Sequence, residues 1–487
     1  MPGMFWPSFF TVFVILLMVS SIVVVVFDDT APAAKLAWIL AIALLPIVGV
    51  VLYLLFGINN RYHYLFKRRH RRYMALLEAE TSPELSSLLF GHGCDESIRE
   101  EYRPLARLLG KGFHPNVMKD SAFEIITSGK RKYDLLLEDL RNAKESIHIE
   151  YFRFGTDSGS EDVRNILIQK AKEGVKVRFI NENIVNFSLF PGYYGRMRRA
   201  GIEVLKFTDP RRHLLELPTR LNHRNHRKIV VIDGRIGYTG GMNINNNYFQ
   251  VWRDTHLRLT GNAVAALQFI FLDSWIIGGG HLDHPLPHYY PMLQRSTMEQ
   301  TAPLKGKLVQ IVQDEPNTGQ PVLQMSYEWV LLNARKYVYL QTPYFAPPEA
   351  VLNTLKAAAL SGVDVRLMIP RKNDTIFMGS INKSYYRQCL EAGVRIFERG
   401  GEFIHSKTFV ADDYISSIGS ANIDNRSFNL NYEVNTYIYD EETALRNKAI
   451  FEEDLALCRE IMLEEILSTP RYKRFFRKLI GLISSLT

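Results

Sequence analysis

With 487 residues, 47% of them hydrophobic, the chain has room for two to four domains with substantial cores. Its net charge of +8 fits nucleic acid, an anionic membrane or a phosphorylated substrate and does not choose among them. Cys94, Cys389 and Cys458 stand far apart without a C-x-x-C spacing, which excludes a cysteine zinc site and a disulfide framework and fits reduced thiols facing the cytoplasm.

Residues 5–27 carry no charge and are long enough to cross a bilayer core of about 30 Å. A second apolar run, 36–56, follows after a short link holding Asp28, Asp29 and Lys35. Two such neighbouring runs predict a transmembrane helical hairpin over residues 1–60 rather than a buried soluble pair. Ala31-Pro32-Ala33 resembles a signal-peptide cleavage site, yet no Lys or Arg precedes the first run, and that run exceeds an ordinary signal core. Arg61, Lys67, Arg68, Arg69, Arg71 and Arg72 then cluster after the second run. Basic residues stay on the cytoplasmic side, so the N-terminus and everything after residue 61 are expected there. The same cluster suits anionic headgroups, each cation contributing about 1 kcal/mol near the surface.

Residues 61–130 read as this basic patch and a mostly helical connector (74–80 and 97–109). Two α/β halves follow, 131–300 and 301–468. The first predicts strands at 146–152, 175–180, 203–207, 228–232 and 235–239, with helices at 163–172 and 193–199. The second predicts strands at 337–341, 363–369, 394–397, 407–410 and 414–418, with helices at 350–360 and 384–391. Ala-Lys-Glu-Gly-Val-Lys-Val-Arg at 171–178 is echoed by Ala-Leu-Ser-Gly-Val-Asp-Val-Arg at 359–366. The fold is therefore written twice, as two sheets flanked by helices and joined about a pseudo-two-fold axis. Residues 469–487 mix Arg471, Lys473, Arg474, Arg477 and Lys478 with Tyr472, Phe475, Phe476 and Leu479, the composition of a basic amphipathic helix.

The chemistry lies in the repeat. His226-x-Lys228-x-x-x-x-Asp233 recurs as His405-x-Lys407-x-x-x-x-Asp412, and the register continues without a gap through Gly240/Gly419, Asn243/Asn422 and Asp254/Glu433. Side chains alternate along a strand, so each histidine and its lysine point the same way. Asp233 and Asp412 fall on the opposite parity in hairpin-type turns, where a local structural role is expected. Lys228, Lys407, Asn243 and Asn422 form a donor set for a phosphate and for the charge of a pentacoordinate transition state. A histidine that attacks phosphorus must be neutral on the attacking nitrogen and fixed through the other. Asp254 and Glu433, each twenty-eight residues past the histidine of its own half, are the expected partners. One histidine attacks and the other serves as acid and base, with neither metal nor cofactor required. His223 and His226 lie three apart, but no Cys or Glu completes a metal set.

These residues resemble the phospholipase D superfamily and, within it, bacterial cardiolipin synthases. The likeness runs through residues 149–152, 224–228, 252–256, 341–345, 405–408, 419–422 and 425–429. It implies duplicated phospholipase D-like half-domains behind a membrane anchor in the bacterial inner membrane. It also implies phosphatidyl transfer between two phosphatidylglycerol molecules, with anionic membrane lipids as partners and no nucleic acid. Glycerol leaves, and His226 is the nucleophile and His405 the acid/base by the same resemblance. A phospholipase D that uses water as acceptor is the alternative on the same site. Ile244-Asn245-Asn246-Asn247 departs from the small acidic run that relatives often carry, which bears on the choice of acceptor alcohol.

Overall fold

The computed structural model describes residues 5–27, 32–53, 57, 71, 73–76, 79–90, 96–111, 115–183, 185–186, 191–207, 223–291, 306–316, 320–375 and 377–484. Of the expected basic cluster, Arg61, Lys67, Arg68, Arg69 and Arg72 lie outside the described residues, as does Cys94.

The first apolar run forms helix α1 (Phe5–Phe27). It is the one described helix long and apolar enough to cross a membrane. The second run differs from expectation. It breaks into α2 (Pro32–Leu44) and α3 (Pro46–Leu52), because Pro46 has no N–H to donate and its ring clashes with the preceding turn. Gly49 then approaches α2 so closely that a Cβ there would stand 2.5 Å from the Ala41 carbonyl oxygen, so α3 bends back onto α2. The 13 residues of α2 reach only about 20 Å, short of a bilayer core. Val25, Ile42, Val50 and Tyr53 knit the three helices together.

The strands of the first half are β1 (Met118–Ile126), β2 (Ser146–Tyr151), β3 (Lys176–Asn181), β4 (Glu203–Lys206), β5 (Arg224–Asn225), β6 (Lys228–Ile232), β7 (Ile236–Gly240) and β8 (His256–Gly261). Those of the second are β9 (Lys307–Asp314), β10 (Tyr337–Gln341), β11 (Phe345–Ala346), β12 (Asp364–Pro370), β13 (Arg395–Arg399), β14 (Thr408–Ala411), β15 (Ile415–Gly419), β16 (Ile423–Asp424), β17 (Asn431–Tyr439) and β18 (Cys458–Ile461). All except β11 and β16, which pair with each other, join one sheet. Its order is β18-β13-β12-β10-β14-β15-β17-β9-β1-β8-β7-β6-β2-β3-β4, with β5 attached to β17.

Two joined sheets were expected, and a single one is found, because β1 and β9 pair antiparallel at the centre. From that pair the order outward matches strand for strand as far as β13 and β4, with β18 added beyond β13, which places the pseudo-two-fold between β1 and β9. β1 itself falls in the stretch read as a helical connector. Its burial does not alternate regularly, so no period-two signal marks it.

Within each half the outer strands run parallel (β2, β3, β4 and β10, β12, β13) and are linked by crossover helices. The repeated Gly-Val steps close these helices. Gly174 and Gly362 sit at φ of 93° and 92°, a region glycine enters without penalty. Beneath the sheet centre lies Ala263–Ile277, apolar on all sides and almost wholly buried. Such a helix belongs in a core and shows no amphipathic stripe.

Candidate active site

Both histidines are buried, with 7% (His226) and 4% (His405) of their surface exposed, and both open on one cavity of about 630 Å³. Asn243 and Asn422 line the same space, together with Phe152 and Tyr344. The two motifs thus converge on one site.

The halves exchange their support. β5, just ahead of His226, pairs parallel with β17 of the other half, and the His226 N–H donates to the Tyr432 carbonyl at 2.9 Å. Likewise Ile404 bridges Arg253, and the His405 N–H donates to the Arg253 carbonyl at 2.7 Å. These backbone ties bring the neighbouring carboxylates onto the rings. Nδ1 of His226 lies 2.9 Å from both carboxylate oxygens of Glu433, and Nδ1 of His405 lies 2.8 Å from Oδ2 of Asp254. Spacing along the chain assigned each carboxylate to the histidine of its own half. The structure corrects this: each serves the histidine of the other half.

With Nδ1 donating to a carboxylate, Nε2 carries the lone pair. Burial pushes the His226 imidazole down to about 4, the nearby lysines adding to the effect against Glu433. Burial and the charges of Lys407 and Lys228 hold His405 well below its ordinary value as well. Both rings are neutral at pH 7, as a phosphorus nucleophile requires. Burial raises Asp254 to about 6, against the pull of Lys407. Burial acts the same way on Glu433, but His226, Lys228 and the Ser420 hydroxyl outweigh it and hold the carboxyl below its usual range. The local contacts also differ: Ser420 donates to Glu433 at 2.5 Å, whereas the matching position is Gly241, where a Cβ would strike the Asp254 carboxylate.

Lys228 and Lys407 lie under the histidines. The Lys228 ammonium donates to the His226 carbonyl at 2.6 Å, and Nζ of Lys407 contacts the His405 carbonyl and stands 3.2 Å from its Nε2. Burial pushes them down to about 7 and about 8. The Asn243 carboxamide donates to the Tyr248 hydroxyl at 2.8 Å and accepts the Arg153 N–H at 3.2 Å. Oδ1 of Asn422 is buried without a hydrogen-bond partner.

Asp233 and Asp412 stand apart from the cavity. Asp233 accepts the backbone N–H groups of Lys144, Glu145 and Ser146 at 2.7–2.8 Å, and Asp412 those of Arg335, Lys336 and Tyr337 at 2.7–3.0 Å. Both adopt φ of 51°, which fits their turns. They tie each central hairpin to the start of β2 or β10.

Sequence reasoning missed the braces behind the site. The Arg253 guanidinium is held by Asp454 at 2.6 Å and reaches the Ser406 hydroxyl at 3.0 Å, while Arg227 donates to Ser274 and Glu315 at 2.9 Å. Both arginines were visible in the first half, one inside the His-x-Lys motif and one next to Asp254. Their partners, forty-seven or more positions away, were not.

A family profile described as "Cardiolipin synthase, PLD-like domain" matches residues 136–275 and 329–455. A second, "Phospholipase_D-nuclease N-terminal", matches residues 16–57. Over 485 residues, 97% of this chain and 98% of the relative, the chain is 35% identical to "Major cardiolipin synthase ClsA" of Bacillus subtilis (strain 168). The chain belongs to the cardiolipin synthase family.

"Cardiolipin synthase 2" of Bacillus anthracis is likewise 35% identical, over 95% of this chain and 88% of its own. In fold the chain is similar to the crystal structure of a phosphatidylserine synthase from Haemophilus influenzae Rd KW20, with a TM-score of 0.57, 16% identity, and coverage of 75% of this chain and 94% of that one. As a cardiolipin synthase the chain is a phosphatidyl-transferring enzyme of phospholipid biosynthesis. The phospholipase D-like halves carry its chemistry, and α1 fits a membrane anchor.

Proposed function

We propose that the enzyme moves a phosphatidyl group from one phosphatidylglycerol to the terminal hydroxyl of another, through a phosphohistidine at the His226/His405 site. One observation carries this reading: two neutral imidazoles, each fixed at Nδ1 by a buried carboxylate, open on one largely apolar cavity. Nε2 of one histidine attacks phosphorus. The other histidine takes part as the imidazolium, the form that the negative charge of the entering phosphodiester favours, and it gives its Nε2 proton to the glycerol oxygen as that leaves. That second imidazole then removes the proton of the incoming hydroxyl, whose oxygen bonds to phosphorus as the phosphorus–nitrogen bond breaks. Lys228 and Lys407 supply positive potential under the phosphate, and Asn243 and Asn422 donate to its non-bridging oxygens. Asp254 and Glu433 position the rings, and Asp233 and Asp412 hold the scaffold.

In the same reading α1 anchors the chain in the inner membrane and the catalytic halves lie on the cytoplasmic side. The C-terminal helix (Arg471–Ser484) lies on the anionic surface. Its Tyr472, Phe475, Phe476 and Leu479 are exposed along one face, among Arg471, Lys473, Arg477 and Lys478. Ile480 of that helix lines the catalytic cavity, and exposed Phe377 stands at the same wall, so acyl chains meet an apolar path into the site.

Mass spectrometry of products from phosphatidylglycerol vesicles tests the reading. Cardiolipin and glycerol in equal amounts are expected, and loss of both in His226→Ala and in His405→Ala. Phosphatidic acid as the main product points instead to a hydrolase, and a wild-type rate in either variant refutes the shared site.

A further inference from the structure

The two halves repeat their catalytic groups but not the walls around them. Four aromatic rings surround His405: Tyr248, Trp252, Phe403 and Tyr344, with centroids 5.3, 5.4, 6.0 and 6.2 Å from the imidazole. The spacing between the two histidines carries Tyr248 onto Ser427, Trp252 onto Asn431 and Phe403 onto Arg224. The matching aspartate contacts at Ser146 and Tyr337 carry Tyr344 onto Arg153. Each of these four rings thus has a polar or basic residue as its counterpart, and His226 keeps a single ring beside it, Phe152, at 4.5 Å.

Arg153, Arg224 and Asn431 all line the cavity, and so does Arg426, whose counterpart is Asn247. Arg224 and Arg426 are close enough that Arg224, after burial, helps to depress the Arg426 guanidinium, against the pull of Asp424, Glu182 and Glu433. The site is therefore symmetric in its catalysts and uneven in its walls, with four rings at His405 against one ring, Phe152, and a set of arginines toward His226.

Joining two phosphatidylglycerols requires two phosphodiesters in this space at once. The lysines and asparagines of the repeated motif account for the reacting one. The acceptor's own phosphate lies one glycerol bridge away, and burying that charge without a partner is costly. Planar guanidinium groups match phosphate oxygens in pairs.

We propose that Arg224 and Arg426, with Arg153 at the rim, bind the phosphodiester of the acceptor lipid and so favour an anionic lipid alcohol over water or free glycerol. This rests on the phosphatidylglycerol reading above. In the second half-reaction the acceptor's terminal oxygen bonds to phosphorus as the phosphorus–nitrogen bond breaks, and the hydroxyl proton passes to the other imidazole. No further reactant is needed.

The test compares two transfers by the full chain in the same phosphatidylglycerol vesicles. One is cardiolipin formation. The other is exchange of the headgroup with isotopically labelled glycerol, which uses the same phosphohistidine but an acceptor without phosphate. In Arg224→Gln/Arg426→Gln the ratio of cardiolipin formation to exchange should fall at least ten-fold, and Arg224→Lys/Arg426→Lys should recover part of it. Because both rates come from one preparation, partial unfolding cancels in the ratio. An unchanged ratio, whether both rates fall together or neither does, overturns the proposal. A wild-type enzyme that yields phosphatidic acid in place of cardiolipin overturns the underlying reading instead.

Discussion

Glu433→Gln probes the exchange of carboxylates between the halves. The Glu433 carboxylate accepts from Nδ1 of His226 at 2.9 Å, from the Ser420 hydroxyl at 2.5 Å and from the Asn431 amide at 3.1 Å. Glutamine keeps the shape and removes the charge, and its NH₂ cannot accept from Nδ1. A hydrogen bond to a charged group contributes about 1.5–3 kcal/mol, and each 1.36 kcal/mol is a factor of ten in rate. Turnover should therefore fall roughly ten- to 150-fold. If the amide turns its NH₂ toward the ring, the proton moves to Nε2 and the lone pair that faces phosphorus is lost. Cardiolipin formation measures the rate, and ¹⁵N resonances of labelled histidines report which ring is disturbed. Glu433→Gln should shift His226 and spare His405, and Asp254→Asn should do the reverse. Disturbance of His405 alone by Glu433→Gln, or wild-type turnover, would refute the reasoning.

The lysines give a pH signature. Burial pushes Lys228 down to about 7 and Lys407 down to about 8, so their charge is lost as pH rises through that window. kcat/KM should decline from about pH 7 upward, and a flat profile to pH 10 would remove the lysines from phosphate binding. His226 is depressed to about 4, below its ordinary 6.5, so its contribution to stability is present above 6.5 and lost as pH falls toward 4. Denaturant melts at pH 7 and pH 5 measure that loss. Asp412→Ala deprives three backbone N–H groups of their acceptor and should lower stability by about 1–3 kcal/mol, with turnover at low temperature kept within a few-fold; near-complete inactivation of the folded variant would place Asp412 in the chemistry. Phe475→Ser/Phe476→Ser should weaken the hold of the C-terminal helix on lipid. Hydrogen exchange of residues 471–484 should slow in phosphatidylglycerol nanodiscs relative to phosphatidylcholine ones for the wild type, but not for this variant.

Much of the fold could be read from the chain because the repeated segments carry strong local signals. β2 alternates, β10 is a short apolar run, the helices that follow end at glycine, and each motif leads into a short apolar strand before a turn. The strands that join the halves were hidden for a physical reason. β17 is buried along its whole length yet contains Asn431, Glu433, Asn435 and Thr436, so its polar positions read as a solvent-facing edge and not as a buried seam. Two of its polar side chains find partners on other elements, His226 for Glu433 and Ser417 for Asn435. The break at Pro46 was legible in principle, since proline inside an apolar run costs a helix about 3 kcal/mol, but the length of the run outweighed it.

Spacing along the chain located both carboxylates and misassigned their partners, because a register counted within one half cannot report a contact made across the axis. The exchange has a consequence for the enzyme as a whole. Each histidine takes both its backbone acceptor and its Nδ1 partner from the opposite half. A half standing alone would therefore keep its histidine and lysine but lose the group that fixes the tautomer, and its own carboxylate would be left buried without a partner. Docking along β1 and β9 completes the support of the imidazoles as well as the sheet, so under the proposed mechanism neither half can act without the other.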